Sequence, residues 1–362
     1  MEVQEMSAGE CRMNFRDRRV LITGGLGFIG SNLTEKLVQL GAEVTLVDSL
    51  IPEYGGNLWN IKPFEHEVTV NISDVRDEHS MKYLVKNQDY LFNLAGQTSH
   101  ADSMANPHPD LEINARAQLY ILEACRWHNP GIKVVFASTR QIYGKPDYLP
   151  VDERHQLRPI DVNGINKMAG EWYHLVYNNV YGIRSAVVRL TNTYGPRMRV
   201  KDARQTFLGV WIRALLEGRP ILVFGDGKQV RDYSYVDDVV NALLLAADSE
   251  ESNGEIYNLG AEDPMTLLKT AEIMIEQNGG GTYEIVPFPA DRKAIDIGDY
   301  YGDYRKIRAK LNWTPEVSFE TGITRTLEYY RQHGPHYWDH SLAGAKPHIV
   351  DDSAIRDLIV KS

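Results

Sequence analysis

Cysteine is nearly absent from this chain, with Cys11 and Cys125 the only two in 362 residues. Cys11 lies in a polar leader, so a disulfide framework is excluded and a reducing, cytoplasmic setting is expected. Long apolar runs are also missing, and residues 1–17 mix acids and bases without the apolar stretch of a signal peptide. A soluble protein with no membrane partner follows as the expectation. Positive charge is in deficit: 39 Lys and Arg stand against 49 Asp and Glu, a net charge of −10. Binding a nucleic-acid backbone takes clustered cations, so nucleic acid is excluded as the main partner, and any phosphate recognised belongs to a small ligand. Internal repeats and low-complexity tracts are absent. What is present is a 43% hydrophobic composition, enough for a sizeable core in one large domain or two unequal ones.

The most informative stretch is Thr23-Gly24-Gly25-Leu26-Gly27-Phe28-Ile29-Gly30, set between the apolar run Val20-Leu21-Ile22 and an amphipathic segment predicted as a helix over Ser31 to Leu40. Strand, glycine turn and helix in that order make a dinucleotide site. Gly24 and Gly27 let the backbone turn and approach a pyrophosphate. Gly30 lets the helix pack close to the strand, so that its N-terminus, with Phe28 and Ile29, faces the anion. A second strand, Glu43 to Val47, ends in Asp48, about 20 residues on, where a carboxylate accepts hydrogen bonds from an adenosine ribose and repels a 2′-phosphate. NAD is therefore expected over NADP.

Strands are predicted at Glu67 to Ile72, Tyr90 to Leu94, Ile132 to Ala137 and Ser185 to Leu190. Helices are predicted at Glu78 to Lys86, Asp110 to Trp127 and Val162 to Val180, with a loop over Pro52 to Asn60. The alternation implies an α/β fold, a Rossmann-type doubly wound parallel sheet with ligands beyond the carboxyl ends of the strands. Asp74 and Val75 follow one such end and border the adenine; Leu94, Ala95 and Gly96 follow another and suit a backbone lying against the cofactor. Ser138 to Gln141 follow a third and are candidates for the reaction centre. The expected organisation is a flexible leader (1–17), a NAD-binding domain (18–195, with 236–262 returning to it), a smaller substrate-binding lobe (196–235 and 263–335) and a tail (336–362). His333, His336, Asp339 and His340 in and near that tail share no clear face, so no metal site is expected.

Five segments together resemble the extended short-chain dehydrogenase/reductase family, the NAD-dependent nucleotide-sugar epimerases, dehydratases and decarboxylases. They are the glycine motif, Asp74 to Asp77, Ser138-Thr139-Arg140-Gln141-Ile142-Tyr143-Gly144, Arg189 to Pro196 and Arg231 to Asp238, within a likeness spanning residues 18 to 331. The resemblance implies a nucleotide-diphosphate sugar as substrate and a homodimer formed through the helices at Asp110–Trp127 and Val162–Val180. Trp172, Leu175, Val176 and Val180 are candidates for that interface. It also implies a Ser or Thr that holds the reacting oxygen, matched by Thr139, and a lysine that holds the nicotinamide ribose, matched by Lys167. Arg231 and Arg292 match arginines that clamp the diphosphate, Asn192 an asparagine near it, and Gln97 and Ser103 the loop bordering the sugar.

Two positions depart from the family pattern. Asn163 stands where a catalytic tyrosine precedes the lysine by four residues, a spacing that keeps both on one helix face. An amide can orient a sugar but cannot titrate near neutral pH. Three explanations are open: another group is the base, with Lys167 the nearest candidate if desolvation lowers its pKa and Tyr143, His100 and Asp161 behind it; the protein binds without turnover; or Asn163 is an engineered, substrate-trapping change. The second departure is Arg140-Gln141, which replaces the acidic pair of the dehydratases. Without those acids dehydration by the usual route is disfavoured, and Arg140, unless it serves a surface salt bridge, favours an anionic sugar such as a uronic acid. The leading expectation is an epimerase that works through a transient keto-sugar.

Overall fold

A computed structural model describes residues 13–338. Most of the expected leader, together with Asp339 and His340 of the tail, lies outside the described residues. Among those described, seven parallel strands form one sheet in the order β3-β2-β1-β4-β5-β6, followed by the strand Ile256–Asn258. Here β1 is Arg19–Thr23, β2 Glu43–Asp48, β3 Val68–Ile72, β4 Tyr90–Asn93, β5 Lys133–Thr139 and β6 Ser185–Leu190. Val20, Leu21 and Ile22 are consecutive and all fully buried, as a strand covered by helices on both faces requires. The strand order reverses between β1 and β4, which opens the crevice that holds the site.

Two elements differ from the sequence expectation. The helix predicted from Asp110 to Trp127 begins as α4 (Pro107–Leu111), widens into a π-turn over Glu112–Arg116 and resumes as α5 (Ala117–His128). The Ile113 carbonyl there accepts from the Gln118 side chain at 2.9 Å, and Asn114 Nδ2 donates to the Gln97 carbonyl at 2.9 Å. The loop predicted over Pro52 to Asn60 gives way to 3₁₀ turns over Leu58–Glu67: Asn57 caps the Trp59 N–H, and Ile61 and Phe64 are drawn into the core. Helix α1 spans Phe28–Gln39, starting three residues earlier than predicted because extended Gly27 serves as its N-cap.

Helix α6 (Val162–Tyr181) carries the side chains of most interest and is tied to the sheet from within. Its Glu171 carboxylate is fully buried, pairs with Arg189 of β6 and accepts the Ser138 hydroxyl of β5 at 2.8 Å. The helix Val236–Asp248 packs on α1, β5 and β6, bringing the chain back to the sheet. The intervening and following residues build a cap from the helices Phe207–Leu216, Leu267–Asn278 and Phe319–His333 and a parallel pair of strands, Ile221–Phe224 with Tyr283–Val286.

Removing one member of a buried ion pair strands the other charge. Glu171→Ala is expected to lower unfolding free energy by about 3–5 kcal/mol, read from urea denaturation, and adding Arg189→Met is expected to recover part of that loss.

Candidate active site

The crevice opens into a cleft of about 790 Å³ between the strand ends and the cap. It is lined by Gly24, Gly27, Phe28, Ile29, Gly30, Asp48, Asp74, Val75, Leu94, Ala95, Gly96, Gln97, Thr139, Arg140, Asn163, Lys167, Asn192, Arg231 and Arg292. Ser103, like the candidate bases Tyr143 and Asp161, does not line it. It is fully buried; its hydroxyl donates to the His100 carbonyl at 2.8 Å and accepts the Asn163 N–H at 3.2 Å, which makes it a brace between helices and not a wall of the cleft.

Close backbone approach explains the glycines. Gly24 has φ +69°, and a Cβ there would lie 3.0 Å from the Ala95 nitrogen; a Cβ on Gly30 would fall 2.2 Å from the Gly24 carbonyl oxygen. No side chain caps the start of α1, so its first-turn N–H groups remain available to an anion. At the end of β2, Asp48 accepts the Leu26 N–H at 3.1 Å and the Leu50 N–H at 2.9 Å, one on each oxygen, which fixes the carboxylate at the rim. Burial raises its pKa against the pull of those two hydrogen bonds. Asp74 is held by Arg76 through hydrogen bonds of 2.9 and 2.6 Å; burial acts upward on this carboxyl, but the Arg76 contacts outweigh it and leave the pKa below its ordinary value.

The strand ends β4 and β5 meet α6 at the centre of the cleft. Lys167 Nζ donates to the Ala137 carbonyl at 3.1 Å and lies over the Phe136 ring at 4.9 Å. A Cβ on Gly96 would sit 3.0 Å from both Lys167 Nζ and Asn114 Oδ1, and that buried amide oxygen has no hydrogen-bond partner among the described residues. The glycine cradle, the free first turn of α1 and this orphaned acceptor fit a dinucleotide laid across the switch point. Burial pushes the Lys167 amine down to about 8, with the Asp110 charge acting weakly the other way.

Asn163 is committed to the protein. Its Nδ2 donates to the Gln97 carbonyl at 2.8 Å and to Asp110 Oδ2 at 2.9 Å, while Asn166 Nδ2 reaches Asp110 Oδ1 at 2.8 Å. A carbonyl and a carboxylate only accept, so both amide hydrogens are used and only Oδ1 is left for a ligand. Thr139 accepts the Gln141 N–H at 3.2 Å, which leaves its hydroxyl hydrogen free to donate. Tyr143 is no substitute base: its buried hydroxyl is bound to Asn258 and Arg189 outside the cleft, and burial drives its pKa upward.

Arg140 donates to Asn192 Oδ1 at 2.9 Å and stacks on Tyr300 at 5.4 Å, but forms no ion pair among the described residues. Burial first, then the neighbouring Arg231, pushes its pKa down to about 10. The surface salt bridge considered from sequence is thus replaced by a guanidinium inside the cleft. Arg231 pairs with Asp296 at 3.1 Å, and exposed Arg292 lies over Phe224 at 5.6 Å. Sequence reasoning missed the cap wall of Phe207, Leu222, Phe224 and Phe288, whose apolar character reads equally as core, and it missed the setting of His100 beside Asp161. His333 and His336 pack around Trp59, and among the described residues no His, Cys, Asp and Glu group suited to a metal occurs.

Residues 20–260 match the model of the NAD dependent epimerase/dehydratase family. The chain is 35% identical over 331 residues to a UDP-N-acetyl-alpha-D-glucosaminuronate decarboxylase of Bacillus cytotoxicus, covering 87% of this chain and 98% of that one. It is 31% identical over 322 residues to a dTDP-glucose 4,6-dehydratase of Actinoplanes, covering 86% and 98%. The solved UDP-glucose 4-epimerase of Thermotoga maritima, with UDP-glucose, superposes with a TM-score of 0.80 at 32% identity, covering 87% and 99%.

A buried lysine whose amine titrates near 8 destabilises the empty protein below that pH, and the penalty fades as pH rises toward the ordinary lysine value. Lys167→Met is therefore expected to stabilise the cofactor-free protein at pH 7 by on the order of 3 kcal/mol, with the gain shrinking above pH 8, while bound NAD is lost. Thermal melts across pH and assay of released dinucleotide check both halves.

Proposed function

This chain belongs to the NAD dependent epimerase/dehydratase family, and from that premise we propose that it is a nucleotide-sugar epimerase working without the tyrosine usual at position 163. NAD is its cofactor, supplying hydride acceptance and return when bound. Gly24, Gly27, Gly30 and the α1 N-terminus hold its pyrophosphate, Asp48 its adenosine ribose, Asp74 and Val75 its adenine, and Lys167 its nicotinamide ribose. Thr139 donates to the reacting sugar oxygen, and Asn163 offers only an acceptor to the sugar. Arg231, Arg292 and Asn192 hold the diphosphate.

The observation that carries the epimerase over a dehydratase is the chemistry beside Thr139. Positions 140 and 141 present a guanidinium and an amide, and neither can give up a proton to a leaving hydroxyl. Removal and return of hydride needs no such acid. Arg140 further supports a carboxylated sugar, since a cation with no ion-pair partner among the described residues gains most from an anionic ligand. We also read the chain as a homodimer: Trp172, Val176 and Val180 lie on one face of α6 at 52%, 46% and 65% exposure, whereas Leu175, also weighed for that face, is buried in the core.

Purified protein denatured to release its dinucleotide is expected to yield NAD. Titration of intact protein with UDP-, GDP-, TDP- and CDP-sugars is expected to give transient reduced-nicotinamide absorbance and an epimerised product. NAD and sugar binding with neither reduction nor product would favour the alternative, a binding protein. With an acidic sugar as substrate, Arg140→Met is expected to cost about 10- to 100-fold in kcat/KM, and far less with the neutral analogue.

A further inference from the structure

Given the epimerase reading above, on which this inference rests, a group in the cleft must take a proton from a sugar hydroxyl and give it back. Asn163 does not titrate and has both amide hydrogens engaged. Lys167 is pinned through Nζ to the Ala137 carbonyl, against Gly96, where its positive charge serves the cofactor. Tyr143 is outside the cleft. We propose that His100, oriented by Asp161, is the acid and base of the reaction.

His100 opens helix α3 (His100–Ala105) and lines the cleft beside Gln97 and Ser99. Its Nδ1 is buried and lies 3.0 Å from Asp161 Oδ2. The side chain as a whole is 35% exposed, so part of the ring other than Nδ1 is open. Asp161 itself is fully buried at the start of α6, with the Gly164 N–H and Gln141 Nε2 each at 2.6 Å. Burial acts upward on this carboxyl, yet His100 and the other donors outweigh it and keep its pKa low, so Asp161 stays an acceptor and fixes the ring.

Three ties set His100 relative to α6. They are the Asp161 contact, the Ser103 hydroxyl on the His100 carbonyl, and the Asn163 N–H on Ser103. Gln141 completes the arrangement by joining Asp161 to the turn that carries Thr139 and Arg140. The other charged groups on the surrounding elements are accounted for. Asp102 of α3 pairs with Arg204 at 2.7 Å, Asp110 of α4 is held by Asn163 and Asn166, and His108 of α4 is exposed. On α6, Glu171 is paired with Arg189 and Lys167 is positive, as is Arg140 beside Gln141.

In the forward step His100 Nε2 would take the proton as the sugar O–H bond breaks and the carbon–oxygen double bond forms, the hydride of the broken C–H bond being what bound NAD would accept. Nε2 would give the same proton back when that hydride is returned to the other face, so charge and hydrogen balance over the cycle. Imidazole is suited to this because one ring nitrogen can take up and return a proton while the other stays on its carboxylate partner.

The test compares wild type, His100→Gln, His100→Ala, Asp161→Asn and the control His108→Gln. His100→Gln is expected to keep NAD and to bind the nucleotide sugar within about threefold of wild type, while kcat falls about 10²- to 10⁴-fold and the acidic limb of its pH profile vanishes. Free imidazole is expected to restore part of the activity of His100→Ala, and His108→Gln to behave as wild type. In ¹⁵N-histidine spectra of the unaltered protein, one imidazole is expected to shift its titration when the sugar binds, with that resonance displaced in Asp161→Asn. The comparison of sugar-free and sugar-bound unaltered protein needs no substitution, so the absence of any responsive imidazole overturns the proposal even if the variants misfold. An active wild type whose His100→Gln form keeps kcat and pH profile, or loses activity only through sugar binding, overturns the proposal alone, as does a protein in which no imidazole responds to the sugar. A wild type that changes no nucleotide sugar overturns the epimerase reading and this proposal with it.

Discussion

The Glu171 carboxylate is the constraint on which the site's geometry depends. It joins one helix to two strands, accepting from Ser138 at the end of β5 and pairing with Arg189 of β6 while fully buried. Burying such a pair brings little net stability, because desolvation consumes the Coulombic gain. What it does bring is uniqueness: α6 cannot slide along the sheet without stranding a charge. One turn before Glu171 stands Lys167, and one turn before that Asn163, so the depth at which these reach the strand ends follows from a contact that takes no part in the chemistry.

The same logic applies to the opposite wall of the crevice. Gly24, Gly30 and Gly96 leave no room for a side chain: the Gly24 carbonyl, the Ala95 backbone and Lys167 Nζ occupy the positions a Cβ would need. The dinucleotide cradle and the lysine that reaches it are thus mutually fitted. The cost is a lysine amine whose pKa burial has lowered, a cost the proposed cofactor role of that charge would explain.

Much of this was legible in the sequence because it rests on local rules. Strand, glycine turn and helix, followed by a strand ending in Asp48, specify both the parallel sheet and the position of the crevice. The features that escaped depend on contacts distant in sequence. The π-turn at Glu112–Arg116 leaves the apolar pattern of its helix readable as one segment, and only the pairing of Asn114 with Gln97 reveals the break. Ser103 sits in a loop expected to border the sugar, yet a turn of α3 directs it into α6. His100 and Asp161 are 61 positions apart and become neighbours only when α3 packs on the N-terminus of α6. Phe207, Leu222, Phe224 and Phe288 carry no sequence mark that separates a cleft wall from a core.

Asn163 takes on a different meaning once its partners are known. Asp110 is a fully buried carboxylate that receives one amide donor on each oxygen, from Asn163 and Asn166, and has no cation in contact among the described residues. A tyrosine at position 163 could not supply this donor and also extend its ring into the cleft, and Asp110 would keep an oxygen in the interior without its hydrogen bond. Such a loss is costly in low-dielectric surroundings. The surroundings of position 163 are therefore built for an amide. That fit supports the proposed rearrangement of the site's proton chemistry over an isolated substitution in a site shaped around a phenol.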